Sequence, residues 1–266
     1  MPDFTAKDVQ SLRQATGAGM MDAKRALEEA AGDMDQAGKI LREKGLAKAG
    51  SRTDRENVEG AVALATTSGA AVVLELKCET DFVAKSEAFT DLVQQLADAF
   101  VADGEAGLDR LGDAVDDLKV RLKENIETGR RERVAVEPDQ VLDTYLHRQD
   151  GRGINGVVVV LAGGTPELAH DVAVHVAFSK PPYLHRDEVP PELVEAERET
   201  LLKLTQAEGK PEAAWDKIVE GRLNGWYKER VLLDQAFVRD EKQTIAKLLA
   251  GGNAEIVRFA QVFIGG

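Results

Sequence analysis

Residues 60–78 read GAVALATTSGAAVVLELKC, and this stretch decides the architecture. Two short apolar runs, 60–66 and 70–78, flank the turn-forming Thr67-Ser68-Gly69, so the spacing predicts a β-hairpin. A helix is expected next, with Ser86 as candidate N-cap and Phe89, Leu92, Val93, Leu96 and Phe100 at helical spacing. A second helix is read over 114–129 on Val115, Leu118, Leu122 and Ile126. The layout then recurs: 141–148 and 154–161 are strand-like around the turn at 149–153, and Thr165-Pro166 opens a helix through Ser179, with proline at the favoured first helical position. Two hairpin-plus-helix units of similar design, weakly repeated in sequence, imply an α+β core.

Working outward from that core, the N-terminal part alternates short helices with glycine. Thr5 can cap a helix over 8–15, Thr16-Gly17-Ala18-Gly19 breaks it, 20–30 is helical, and Gly32-Asp33 restarts a third helix through Leu46. The reading is a three-helix module at 1–50, small enough to be marginal alone. A polar, aperiodic linker follows at 51–58. One core subdomain spans 59–139 and a second 140–266. Pro190-Pro191 starts an interruption of the second, a charged helical hairpin at 190–230 expected to project from the domain or lie across it. The core resumes at 231–238, with a helix at 244–250 and a last strand at 255–264.

Length and composition bound the function. At ~150 residues per domain, 266 residues give roughly two compact units. With 47 acidic against 34 basic residues the formal charge is −13, the wrong sign for neutralising phosphates, so direct nucleic-acid binding is disfavoured. The longest apolar runs, such as 157–162, fall far short of the ~20 residues needed to cross a bilayer, so no membrane partner is expected. A single cysteine, Cys78, excludes an internal disulfide and a thiolate-rich zinc site, and MPDFTAKDVQ at the N-terminus lacks a secretory layout. The expected location is cytoplasmic.

Most chemical motifs fail on context. Gly151-Arg-Gly-Ile-Asn-Gly156 matches G-x-G-x-x-G, but it precedes a strand, whereas a dinucleotide turn must follow one and open a helix. No phosphate-binding P-loop occurs. His170 and His175 are spaced to lie on different helix faces, which argues against metal. Cys78 ends a buried strand and reads better as a core thiol than as a nucleophile. Met20 and Met21 diverge by ~100° on a helix start, so both cannot point into a small core and one should be exposed, either by chance or as an adaptable protein contact. Glu79-Thr80-Asp81-Phe82-Val83-Ala84-Lys85 carries an acid and a large aromatic in a loop. Either Phe82 staples the next helix to the sheet while Asp81 caps a turn, or the pair is a probe aimed at another molecule.

TGAGMMDAKRAL at 16–27 and CETDFVAKSEAF at 78–89 closely resemble the signature stretches of the bacterial elongation factor Ts family. The likeness continues through Tyr145-Leu-His147, Val219-Glu-Gly-Arg222 and Arg258-Phe259, so it spans essentially the whole chain. It implies a ubiquitin-associated-like N-terminal module, two related α+β subdomains and a projecting helical hairpin. It also implies guanine nucleotide exchange on elongation factor Tu, bound with GDP or nucleotide-free, without covalent chemistry and with no cofactor or metal of its own. By motif, Thr80, Asp81, Phe82 and Val83 would enter the GTPase beside its magnesium site, and Leu12, Met20, Met21 and His147 would bind the partner. Arg148-Gln-Asp-Gly-Arg152 departs as a variable turn, and Ala23 stands where relatives often have cysteine. No long extension is expected beyond Arg258-Phe259. A plain adaptor, binding helices through its N-terminal module without affecting nucleotide, is the competing class.

Overall fold

Helix α1, Ala6–Thr16, starts at a capping box: the Asp8 N–H donates to Thr5 Oγ1 at 3.3 Å and the Thr5 N–H donates to the Asp8 carboxylate at 2.7 Å. Gly17, in the left-handed region, closes it. Helices α2 (Met20–Glu29) and α3 (Met34–Gly50) complete a three-helix segment around Val9, Leu12, Ala23, Ala26, Leu27, Ala37 and Leu41. Helix α3 runs to Gly50 rather than stopping at Leu46, because the alanines at 47 and 49 favour helix and Ala49 is buried. This computed structural model describes residues 4–50 and 54–265, so positions 51–53 of the expected linker lie outside the described residues.

Strands β1 (Glu59–Thr66) and β2 (Ala70–Cys78) form the expected antiparallel hairpin, in register from Glu59↔Cys78 to Thr66↔Ala71. A single helical turn, α4 (Asp81–Ala84), leads into α5 (Glu87–Asp103), which buries Phe89, Leu92, Val93, Leu96 and Phe100. Then come α6 (Glu105–Arg110) and α7 (Gly112–Leu122), and here the structure departs from expectation. The helix read over 114–129 ends at Leu122, where Lys123 turns left-handed at φ 61. The chain continues as β3 (Glu127–Ala135), a third strand antiparallel to β2. Its sequence, ETGRRERVA, buries Val134 alone. A charged edge strand shows no apolar alternation, and the same charges guard the edge against pairing with another chain.

The second unit repeats the plan. Strands β4 (Gln140–Gln149) and β5 (Arg152–Gly163) are joined by Asp150 and Gly151, both at positive φ (53° and 83°), as a two-residue hairpin turn of the primed type requires. Thr165 caps α8 (Pro166–Ser179). Helices α9 (Pro191–Ala207) and α10 (Trp215–Arg230) make the helical hairpin, tied by Arg222 to Glu208 at 2.7 Å and Arg198 to Glu220 at 3.3 Å. Short strands β6 (Ala236–Phe237) and β7 (Asp240–Thr244), helix α11 (Ile245–Gly251) and strand β8 (Ala254–Phe263) follow, and β8 joins β5 to give the order β4-β5-β8.

The two sheets face each other through Val62, Ala71, Val73, Val134, Val158, Val160, Ala260 and Val262. Alternate residues of the same strands face outward, Val72, Leu74 and Leu76 onto α5 and Val157, Val159 and Leu161 onto α8. The order of layers is helix, sheet, sheet, helix. Burial on both faces explains why these strands read as unbroken apolar runs. It also explains the G-x-G-x-x-G match: a Cβ on Gly153 would lie 2.2 Å from the Val62 carbonyl oxygen, and one on Gly156 2.8 Å from methyls of Val62 and Val73. These glycines let two sheets touch. The chain is α+β with an N-terminal three-helix segment.

Candidate functional site

The loop that leaves β2 is built from reciprocal acid contacts. Thr80 caps α4, accepting the Val83 N–H on its hydroxyl at 3.4 Å. The carboxylate of Glu124, just past α7, accepts the N–H of Glu79 at 3.0 Å, the N–H of Thr80 at 3.1 Å and the Thr80 hydroxyl. Glu79 returns the contact, accepting the Asn125 N–H at 2.7 Å and Arg55 at 3.2 Å. Beneath, the buried Cys78 thiol donates to the Thr80 carbonyl at 3.3 Å, and burial pushes its pKa up to about 12, as suits a core thiol.

On α4, Val83 and Ala84 turn into the core of the first unit. Phe82 therefore turns outward and is 85% exposed. The reading in which Phe82 staples the next helix to the sheet is corrected here, because its neighbours do that work. Beside it Asp81 accepts Lys85 Nζ at 2.8 Å, and the same ammonium reaches Asp150 in the β4–β5 turn at 3.2 Å. The Lys85 hydrogen bond holds the Asp81 carboxyl below the usual carboxylate range, and Asp81 and Asp150 together raise Lys85. An ionised carboxylate and a bare aromatic ring thus stand side by side on a turn that is fixed at its base.

His147 is exposed on β4, opposite Asn155 in the strand register, with the Tyr145 hydroxyl 3.4 Å from its Nδ1. The Lys85–Asp150 contact places α4 at the turn end of β4 and β5, so Asp81, Phe82 and His147 share one end of the two-sheet core. Met20 and Met21 are both exposed, at 49% and 60%. The loop before them lies against the end of α7, since a Cβ on Gly17 would lie 3.8 Å from the backbone of Arg121. Arg42 of α3 also pairs with Asp113 and Asp117 of α7 at 3.1 and 3.2 Å. Leu12 is the exception. It is 3% exposed inside the three-helix core, where it holds α1 against the other helices and offers no contact surface.

Glu124, Lys85 and Asp150 were not among the residues expected to matter. Lys85 had a legible signal, a cation following Asp81 at the i,i+4 spacing that lets the two meet on a helix. Glu124 had none, because its partners are 44 and 45 positions away. The α8 histidines do diverge: His170 sits 3.1 Å from Asp143, while His175 is buried, donating from Nε2 to Gln235 at 3.0 Å and accepting the Val238 N–H on Nδ1 at 3.3 Å. Among the described residues no group of three or more His, Cys, Asp or Glu is placed to hold a metal ion, and no helix is long and apolar enough to cross a membrane.

The family described as Elongation factor TS matches residues 79–266. Over its whole length the chain is 44% identical to Elongation factor Ts of Renibacterium salmoninarum and 42% identical to that of Clavibacter michiganensis subsp. michiganensis, each covered completely. It is also 42% identical to Elongation factor Ts of Acidothermus cellulolyticus, with 99% of that relative covered.

Proposed function

The chain belongs to the elongation factor Ts family, and from that premise we propose that it is a guanine nucleotide exchange factor for elongation factor Tu, promoting GDP release and then GTP reloading. The observation that carries the reading is Phe82, a phenylalanine 85% exposed on a helical turn that Glu124 and Lys85 hold in place. An aromatic side chain left in water forgoes ~1.5–3 kcal/mol that burial would return, and that free energy is available to a docking step.

The mechanism is linkage. GDP and Mg²⁺ hold a GTPase in one arrangement of its phosphate site, and a protein that prefers another arrangement weakens nucleotide by the factor by which nucleotide weakens it. Turning a nanomolar nucleotide into a micromolar one takes ~4 kcal/mol, at ~1.4 per tenfold, more than one buried phenylalanine supplies. Several contacts must act together. Phe82 enters beside the magnesium site and parts side chains there, with Thr80 and Val83 fixing its turn, while the ionised Asp81 exchanges Lys85 for polar groups around the ion's waters. Met20 and Met21, on a module spanning 1–50, and His147, on the second subdomain, hold the distorted partner. The factor binds Tu with GDP or without nucleotide, acts in the cytoplasm, needs neither nucleic acid nor membrane, and makes no covalent bond. Module, linker at 51–58 and subdomains at 59–139 and 140–266 are the working parts of this proposal.

Stopped-flow release of fluorescent GDP from elongation factor Tu, with and without the chain and across Mg²⁺ concentrations, tests it. The off-rate should rise with factor concentration to saturation, and most steeply where Mg²⁺ is scarce enough to be displaced. An adaptor that binds Tu would leave the off-rate where it was.

A further inference from the structure

Phe178 has no part in the site described so far, yet it is 75% exposed. It stands near the C-terminal end of α8, about 200° round the helix from the buried Val176, and so faces directly away from the sheet that α8 covers. The fold makes no use of a phenylalanine there. Glu167 and Asp171, earlier on the same outward side, are the residue types such a position ordinarily carries.

Its place in the molecule gives it a use. The Asn155 side-chain amide donates to the Ala177 carbonyl at 2.8 Å, which pins the end of α8 to β5 at the level where Asn155 pairs with His147. The turn beyond His147 carries Asp150, and Asp150 holds Lys85, the partner of Asp81. Phe82, His147 and Phe178 therefore surround the same end of the core, on the helical turn that follows its first sheet, on its second sheet and on its outer helix in turn. We propose that Phe178 is an apolar anchor for elongation factor Tu, extending the docking end from the inserted tip across to α8. This rests on the functional reading above and adds a residue that contributes affinity without contributing to nucleotide release.

The test uses the full chain with Phe178→Ala and Phe178→Leu, titrated calorimetrically against nucleotide-free elongation factor Tu and assayed for GDP release at saturating factor. Phe178→Ala should weaken binding about tenfold, the usual scale for truncating an aromatic anchor, Phe178→Leu should recover most of it, and the saturating release rate and melting temperature should match the parent. A Phe178→Ala chain that binds as tightly as the parent overturns the assignment, as does one whose saturating rate falls with its affinity. So does a change confined to self-association of the chain in sedimentation, which would seat a second copy on α8. If the parent chain itself neither binds Tu nor speeds release, the functional reading falls and takes this assignment with it; tight binding by Phe178→Ala beside normal acceleration removes the anchor alone.

Discussion

Replacing Glu124 by alanine removes the side chain on which the turn carrying Asp81 and Phe82 is mounted. Its carboxylate accepts two backbone N–H groups, at 3.0 and 3.1 Å, and the Thr80 hydroxyl. Hydrogen bonds to a charged acceptor contribute ~1.5–3 kcal/mol each in dry surroundings, but Thr80 is exposed and water can take over, so ~0.5–1 kcal/mol apiece is the appropriate scale. Losing all three lowers the ratio of held to released loop by roughly 10- to 150-fold. Part of that shift is absorbed by the excess of the held form in the parent, so the second-order efficiency of GDP release should fall by about 3- to 30-fold. Glu124→Gln, which keeps one carbonyl acceptor and loses the charge, should fall in between. The melting temperature should drop by no more than roughly 5 °C, since a loop that frays forfeits only its own contacts. Stopped-flow release reports the activity, and hydrogen exchange at the Glu79 and Thr80 amides reports the loop directly. Faster exchange at those two amides together with undiminished GDP release would refute the reasoning, because a loosened tip would then work as well as a fixed one.

Gly153→Ala should destabilise the chain by about 1–3 kcal/mol, the range for forced overpacking, because its methyl would lie 2.2 Å from the Val62 carbonyl oxygen and push the sheets apart; urea unfolding measures this, and added dinucleotide should not restore the loss. Burial lowers the pKa of His175 from its ordinary 6.5, so the unfolded chain binds that proton more readily than the folded one. Its contribution to stability is therefore complete above about pH 6.5 and declines as pH falls toward the folded-state value. The urea midpoint should drop between about pH 7.5 and 5.5 in the parent, and His175→Gln should show a smaller drop over the same interval.

The elements that were legible in the sequence are those whose determinants are local. Thr5 with Asp8, Thr165 with Pro166, and Asp150 with Gly151 each fix a helix start or a turn within a few positions, and the structure keeps all of them. The apolar runs of β1, β2 and β5 were legible because both of their faces are buried. Strand β3 was hidden for the opposite reason: its pairing partner is β2, far back in the chain, and its side chains serve an edge rather than a core. The same division runs through the site. Phe82 and Asp81 stood out by type, but spacing could not say whether the ring pointed inward; that depends on Val83 and Ala84 filling the core first. Leu12 looked like surface by motif and is core by packing. Glu124 shows how a residue with no local signature can govern a loop through contacts that only the tertiary fold creates.

Whether the exposed ring of Phe82 drives nucleotide release is tested most directly by the saturating rate of GDP dissociation from elongation factor Tu with Phe82→Ala against the parent. Because the ring is 85% exposed in the free factor, its removal should leave the melting temperature unchanged. The saturating rate should fall by roughly 10- to 150-fold, the equivalent of ~1.5–3 kcal/mol of docking free energy no longer applied to the magnesium site. A Phe82→Ala chain that binds elongation factor Tu normally and still releases GDP at the parent's rate would contradict it.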